Sequence, residues 1–196
     1  MTDLNKQVVE LAEEFYVDFI EQLQKKLPTR PQELPPLLYP EFENEALLFV
    51  GLNPSFSTNL LKTYAPSELL LNNAFSWEHM KRNLTDQYES SIIEFQKNVK
   101  FSEQKLQYFK TIESFVEKLD FIKGYTDTYH YDLFPFRLTS QKEFKKALLT
   151  MKCNNDFINR VISLFLFVVD NCRPKLIIVA NAFASSLVKE KLLKTQ

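Results

Sequence analysis

Ala46-Leu47-Leu48-Phe49-Val50-Gly51-Leu52-Asn53-Pro54-Ser55-Phe56 is the stretch that decides the fold. Its first five residues are apolar without alternation. A strand with one wet face alternates; a strand covered on both faces does not, and such strands belong to parallel sheets. The run ends at Gly51, one of only two glycines in 196 residues. Glycine at a strand exit lets the backbone take φ > 0 or approach a ligand closely. Pro54 stiffens the exit and restricts Asn53 to extended geometry. Residues 52–66 then read as loop.

Outward from this strand, helix and strand patterns alternate. Val8, Leu11, Ala12, Phe15, Phe19, Ile20 and Leu23 recur at helical spacing, which predicts an amphipathic helix over 4–26. Pro28, Pro31, Pro35, Pro36 and Pro40 follow. They exclude helix and central strand and predict an extended arm laid over the domain. A mostly helical section is expected from Ser76 to Leu119, striped by Phe109, Ile112, Phe115, Val116 and Leu119. Thr128 to Phe134 reads as a second strand, ending before Pro135. Ser140 and Glu143 have capping-box spacing for a helix over 141–149. Asn155 is placed to cap a helix over 156–170 that is apolar almost all round. Leu176-Ile177-Ile178-Val179 reads as a third buried strand, and 181–193 as a last helix. Strands separated by helices predict a three-layer α/β/α domain with a central parallel sheet. Residues 1–45 form its helix and arm, and 46–196 its core.

Composition narrows the function. At 45% hydrophobic and 25% charged, the chain can bury a core, which excludes wholesale disorder. The longest apolar run, Leu164–Val169, is far short of a membrane span. The N-terminus carries no signal-peptide pattern. Two glycines exclude a P-loop and a GxGxxG dinucleotide fingerprint. Two cysteines make neither a disulfide framework nor a four-cysteine zinc site. No cofactor, metal, membrane or protein partner is expected, and a reducing, cytoplasmic setting is the default. Residues 1–45 hold ten acidic and four basic side chains; 46–196 hold fifteen and twenty. This mildly basic core permits a polyanion partner and fits equally well with two solvated surfaces of opposite sign.

Open parallel sheets bind ligands at the carboxyl ends of their strands, so Asn53 and the residues after the second strand are the candidates for chemistry. A rigidly held Asn53 can position a water or a substrate edge, and Phe56 can stack on a flat ring. Equally, Asn53 can simply bond neighbouring backbone in a tight turn. LLFVGLNPS resembles the first active-site motif of the uracil-DNA glycosylase superfamily, closest to the single-strand-selective and mismatch-specific branches with a G-x-N-P motif. Tyr131-Asp132-Leu133-Phe134-Pro135-Phe136 is similar to the stretch after that family's second strand. Pro174 to Ala184 is similar to its third strand and turn.

The resemblance implies a uracil-DNA-glycosylase-like fold, a DNA partner and hydrolysis of an N-glycosidic bond. Asn53 would place the water, and Phe56 would stack on the flipped base. The Leu52 backbone and Asp132 would read the base edge, and Gly51, Pro54 and Ser55 would shape the turn. The chain departs from the family pattern in two places. Asp132 stands where the family has Asn; an ionised carboxylate only accepts hydrogen bonds, which favours a donor-bearing base edge over uracil. Alternatively, Asp132 caps the following turn or faces Arg137. Neither the family's fourth strand nor its H-P-S loop, whose His stabilises the leaving base, is found before Gln196; either the natural protein continues beyond this chain, or the fold is trimmed and lacks that His. A non-catalytic nucleobase-binding module and an unrelated small-molecule domain are the competing functions.

Several weaker features are read as structural. His130 is expected to line the core or pocket, and His79 to be exposed on a helix. Asp120, Asp127, His130 and Asp132 lack metal-ligand spacing. Cys153 sits near a helix end, where a lowered thiol pKa is conceivable. Lys142, Lys145 and Lys146 read as a solvated helix face or a phosphate contact.

Overall fold

A computed structural model describes residues 1–25, 33–56, 58–71, 74–101, 107–123, 128–138 and 140–193; for residues 101, 107–109, 120–123 and 191–193 it describes the backbone alone. The chain is mixed α/β. In order, its elements are α1 (Asp3–Gln24), β1 (Leu47–Gly51), α2 (Thr58–Tyr64), α3 (Ser67–Leu70), α4 (Trp77–Asn83), α5 (Asp86–Phe101), α6 (Gln107–Lys123), β2 (Thr128–Asp132), α7 (Gln141–Thr150), α8 (Asn154–Cys172), β3 (Leu176–Val179) and α9 (Ala182–Leu193). Among the described residues, no helix is long and apolar enough to cross a membrane.

The three strands form one parallel sheet in the order β2-β1-β3. Gly51 pairs with Asp132, and Val50 with both Tyr131 and Val179. The unbroken apolar run therefore occupies the central strand, and every residue of β1 is buried. Successive side chains of a strand point to opposite faces. Leu47 and Phe49 meet Ile112, Val116 and Leu119 of α6 on one face. Leu48 and Val50 join the large cluster on the other, which α1, α7 and α8 build. Helices thus lie on both faces.

Two of the expected elements differ from the structure in kind. Residues 58–64 are helix where loop is expected, because Leu60 and Leu61 bury themselves beside α5. An apolar pair is too short a stretch to show a period. The helical section from Ser76 divides into α4, α5 and α6; Thr85 Oγ1 accepts from the Tyr88 N–H and starts α5 afresh. Boundaries and exposure differ elsewhere. β2 stops at Asp132, although the Leu133 and Phe134 N–H groups continue the ladder onto the Gly51 and Leu52 carbonyls (3.1 and 2.9 Å). β3 is half-buried, not buried, since it pairs with β1 alone at the edge.

Helix starts also show where tertiary contacts replace local ones. Ser140 caps α7 as its spacing predicts, accepting from the Glu143 N–H at 3.3 Å. Asn155 does not cap α8. The cap position is Cys153, whose side chain makes no capping bond. Instead Asp18, on α1, accepts from the Lys152 N–H at 3.1 Å and from Cys153 Sγ at 3.4 Å.

α1 is part of the core. Val8, Ala12, Phe15 and Phe19 are all buried, and Phe15 and Phe19 pack on Phe157 and Phe144 of α8 and α7. Asn5, fully buried on this apolar face, is bonded to both the N–H and the carbonyl of Tyr39 at 2.8 Å and to Glu89 at 2.7 Å. The described part of the arm is extended, with Leu34, Leu37, Leu38 and Tyr39 buried beneath it. Leu37 N–H reaches the Pro135 carbonyl at 2.8 Å. The arm thereby closes one side of the site described next. Pro28 and Pro31 lie outside the described residues.

Candidate functional site

The exit loops of β1 and β2 run side by side. Beyond the strands, the Leu138 N–H donates to the Pro54 carbonyl at 3.0 Å. Asn53 closes the same junction from its side chain: Nδ2 donates to the Leu138 carbonyl at 2.7 Å and more loosely to that of Pro54 at 3.4 Å. Asn53 is buried, and among the described residues its Oδ1 has no hydrogen-bond partner. Buried acceptors are rarely left without partners, and an exception asks for a water, ion or ligand. The amide nitrogen bonds neighbouring backbone, as one of the two sequence readings has it; the oxygen is uncommitted among the described residues.

On the neighbouring strand, His130 and Asp132 are two residues apart and share a face. His130 Nε2 lies 3.0 Å from Asp132 Oδ2. Both side chains are largely buried, at 15% and 8% exposure. Asp132 therefore does not cap the following turn, and it makes no ion pair with Arg137; its partner is His130. Gly51, opposite Asp132 in the ladder, leaves room for the pair. A Cβ on Gly51 would run into Asp132 Oδ1 and approach His130 Cε1 to 3.2 Å. Oδ1 accepts no hydrogen bond from the described residues.

These groups border a cleft of about 1100 Å³ at the carboxyl ends of the strands, reaching between the sheet, the arm and α5 and α6. It is the larger of the two best-formed cavities by far. Gly51, Leu52, Asn53, Pro54, Ser55, Phe56 and Asp132 all line it, so the structure brings the sequence-derived candidates together. Their availability differs. The Leu52 carbonyl already accepts from the Phe134 N–H. Phe56 is half-buried and stacks on Phe75, with centroids 5.8 Å apart and planes at 14°. Ser55 is exposed.

Arg137 is the residue that sequence reading missed as a wall of this cleft. It is 8% exposed. Its Nε donates to the Pro35 carbonyl at 3.0 Å, its Nη2 to Gln96 Oε1, and its guanidinium lies 5.4 Å from the Phe75 ring centre. Among the described residues no carboxylate lies within ion-pair distance, and Nη1 has no hydrogen-bond partner. Burial pushes the guanidinium down to about 10, with Asp132 the first of the groups that oppose the shift; the group is still charged at neutral pH. Lys100 also borders the cleft, donating to the Thr128 carbonyl at 3.2 Å, and burial lowers its pKa. Glu41, Lys97, Glu113 and Glu117 complete a wall of mixed sign.

The remaining candidates lie elsewhere. His79 is half-buried, not exposed, its ring 5.4 Å from that of Tyr88. The Cys153 thiol is raised rather than lowered, by burial first and then by its bond to Asp18. Lys146 pairs with Glu143 at 3.1 Å and Lys145 sits over the Phe183 ring, so the basic run is largely spoken for on α7. Asp127 and the Asp120 side chain lie outside the described residues; among those described, no group of three His, Cys, Asp or Glu could hold a metal ion. Comparison with models of protein families, with curated proteins and with solved structures finds no match to this chain.

Proposed function

We propose that the cleft receives a nucleobase from DNA and that the chain hydrolyses its N-glycosidic bond, as a domain of uracil-DNA-glycosylase type. The observation that carries this reading is Asn53: an amide anchored through its nitrogen, with a buried oxygen left over, at the exit of the central strand and at the border of the cleft. Such an oxygen accepts a hydrogen bond from a water and fixes its orientation. An amide is too weak a base to deprotonate water, so its contribution is placement. The water oxygen bonds to the sugar carbon as the carbon–nitrogen bond breaks, and the base leaves with the electron pair. The base must first be extruded from the stack.

The other residues take roles consistent with this. Phe56, already backed by Phe75, offers a stacking face. Asp132 Oδ1 accepts from an amine or ring N–H, which disfavours the carbonyl edge of uracil. His130 holds the second carboxylate oxygen and thereby the orientation of the first. The mixed charge of the wall makes base recognition, not backbone attraction, the basis of the reading. The strut made by the Asn53 nitrogen serves a non-catalytic nucleobase-binding module equally well, and that is the second reading.

Titration of the chain with single-stranded oligonucleotides tests the shared part of both. The expected result is binding that weakens when Phe56 becomes Ala, as loss of a base-stacking face does. Absence of binding at low salt would remove both and leave a small-molecule site.

A further inference from the structure

A buried cation without a counter-ion is costly, since desolvation is not repaid by a nearby opposite charge. Among the described residues, Arg137 is in that condition. Its nitrogens Nε and Nη2 are bonded to neutral oxygens, of Pro35 and Gln96, and its face lies against Phe75. Asp132, the carboxylate that influences it, is beyond ion-pair range and is bonded to His130. A strut between the arm and α5 would need hydrogen-bond donors but no charge. The residue also borders the cleft, and its Nη1 is uncommitted among the described residues.

We infer that Arg137 takes an anionic oxygen of the ligand that occupies the cleft. This inference rests on the reading of the cleft as a nucleobase site and names the charge that such a ligand carries there. Two sources share the chemistry. One is the departing base: the electron pair of the broken carbon–nitrogen bond stays on the ring and spreads onto its carbonyl oxygens until a proton returns from the water that was consumed. The other is a phosphate group of the nucleotide. A planar guanidinium suits either, because it offers directed donors and a charge that persists at neutral pH.

Calorimetric titration of the purified chain at neutral pH tests this with three probes: barbiturate, an acidic pyrimidine ionised under these conditions; uracil, a neutral one; and inorganic phosphate. Wild type should bind one of the two anions more tightly than uracil. Arg137→Gln should weaken that anion by about 10- to 100-fold, the loss of a charge-assisted hydrogen bond, with little change for uracil. Preference for barbiturate assigns the oxygen to the ionised base; preference for phosphate assigns it to the backbone. Should Arg137→Gln fail to fold, Arg137→Lys decides, because an ammonium keeps the charge without the planar fork: weaker anion binding with unchanged uracil binding supports the inference. Equal anion affinity in that variant and wild type, undiminished affinity in Arg137→Gln, or no anion binding by wild type overturns it. A wild-type chain that binds the anion and releases no base from oligonucleotides loses the glycosylase reading alone.

Discussion

The Asp132 carboxylate fills the space in which a side chain at position 51 would stand. A Cβ on Gly51 would collide with Oδ1 and crowd His130 Cε1 at 3.2 Å. The glycine that ends the central strand is therefore a condition for the His130–Asp132 pair on the next one.

Gly51→Ala is expected to destabilise the chain by about 1–3 kcal/mol, as overpacking does, and to displace the pair. Adding Asp132→Ala removes the atom that is hit, so the double variant should recover part of the loss. Urea unfolding of the two single variants and the double variant measures this coupling. Additive losses would mean that position 51 is sensitive for another reason.

Tyr131 poses the opposite case. Its ring is fully buried and stacks on Tyr39 at 4.9 Å, yet its hydroxyl has no hydrogen-bond partner among the described residues. Tyr131→Phe keeps the ring and removes the orphaned group. It should be neutral or stabilising by about 1 kcal/mol, read as a raised urea midpoint at unchanged slope. A loss of stability would reveal a partner for the hydroxyl.

Asp18 makes folding sensitive to acid. Burial pushes its carboxyl up, but bonds from Gln22, Cys153 and the Lys152 and Cys153 backbone outweigh burial and hold it below the ordinary 3.8. A carboxyl lowered in the folded state binds fewer protons there than in the unfolded chain. Its stabilisation is complete above 3.8 and is lost as pH falls through the folded-state value. Asp18→Asn should flatten the fall of thermal midpoint below pH about 4. Asp18→Ala should cost about 1.5–3 kcal/mol at neutral pH, the value of hydrogen bonds to a charged group. An unchanged acid limb in Asp18→Asn would contradict the assignment.

The elements that could be read in the sequence are those with a local signature. The β1 run, the α1 stripe and the Ser140 cap announce themselves, and residue spacing places them within a few positions. What could not be read depends on partners distant in the chain. Asp18 ties down the residues that lead into a helix more than a hundred positions away. Asn5 breaks an apolar face because Tyr39 needs its amide. Leu60 and Leu61 form helix only because α5 lies beneath them. In the site, Asn53 and Phe56 follow from reading the exit of the central strand, and Asp132 from the family resemblance alone. His130 could have been joined to Asp132 from their two-residue spacing on one strand. Arg137 carries no such signal, since its importance lies in the absence of a counter-charge around it.

Asp132 should set base preference. As a carboxylate it offers only acceptors toward the cleft, whereas an amide also donates. Asp132→Asn should therefore bind uracil-containing single strands about tenfold better relative to strands whose base presents an amine, the scale of one hydrogen bond exchanged for a repulsion. Competition binding with matched oligonucleotides measures the ratio. A ratio that stays constant would place Asp132 away from the base edge and leave it as the anchor of His130.

The central claim is that Asn53 places a water for cleavage of a glycosidic bond, and abasic-site formation reads this most directly. Single- and double-stranded oligonucleotides carrying uracil, hypoxanthine, xanthine or an oxidised pyrimidine would be incubated with excess wild type and with Asn53→Ala. The account predicts abasic sites at one of these bases with wild type, and a loss of about 100-fold or more with Asn53→Ala, in keeping with a misplaced nucleophile. No cleavage of any base by wild type, or equal cleavage by both proteins, would contradict it.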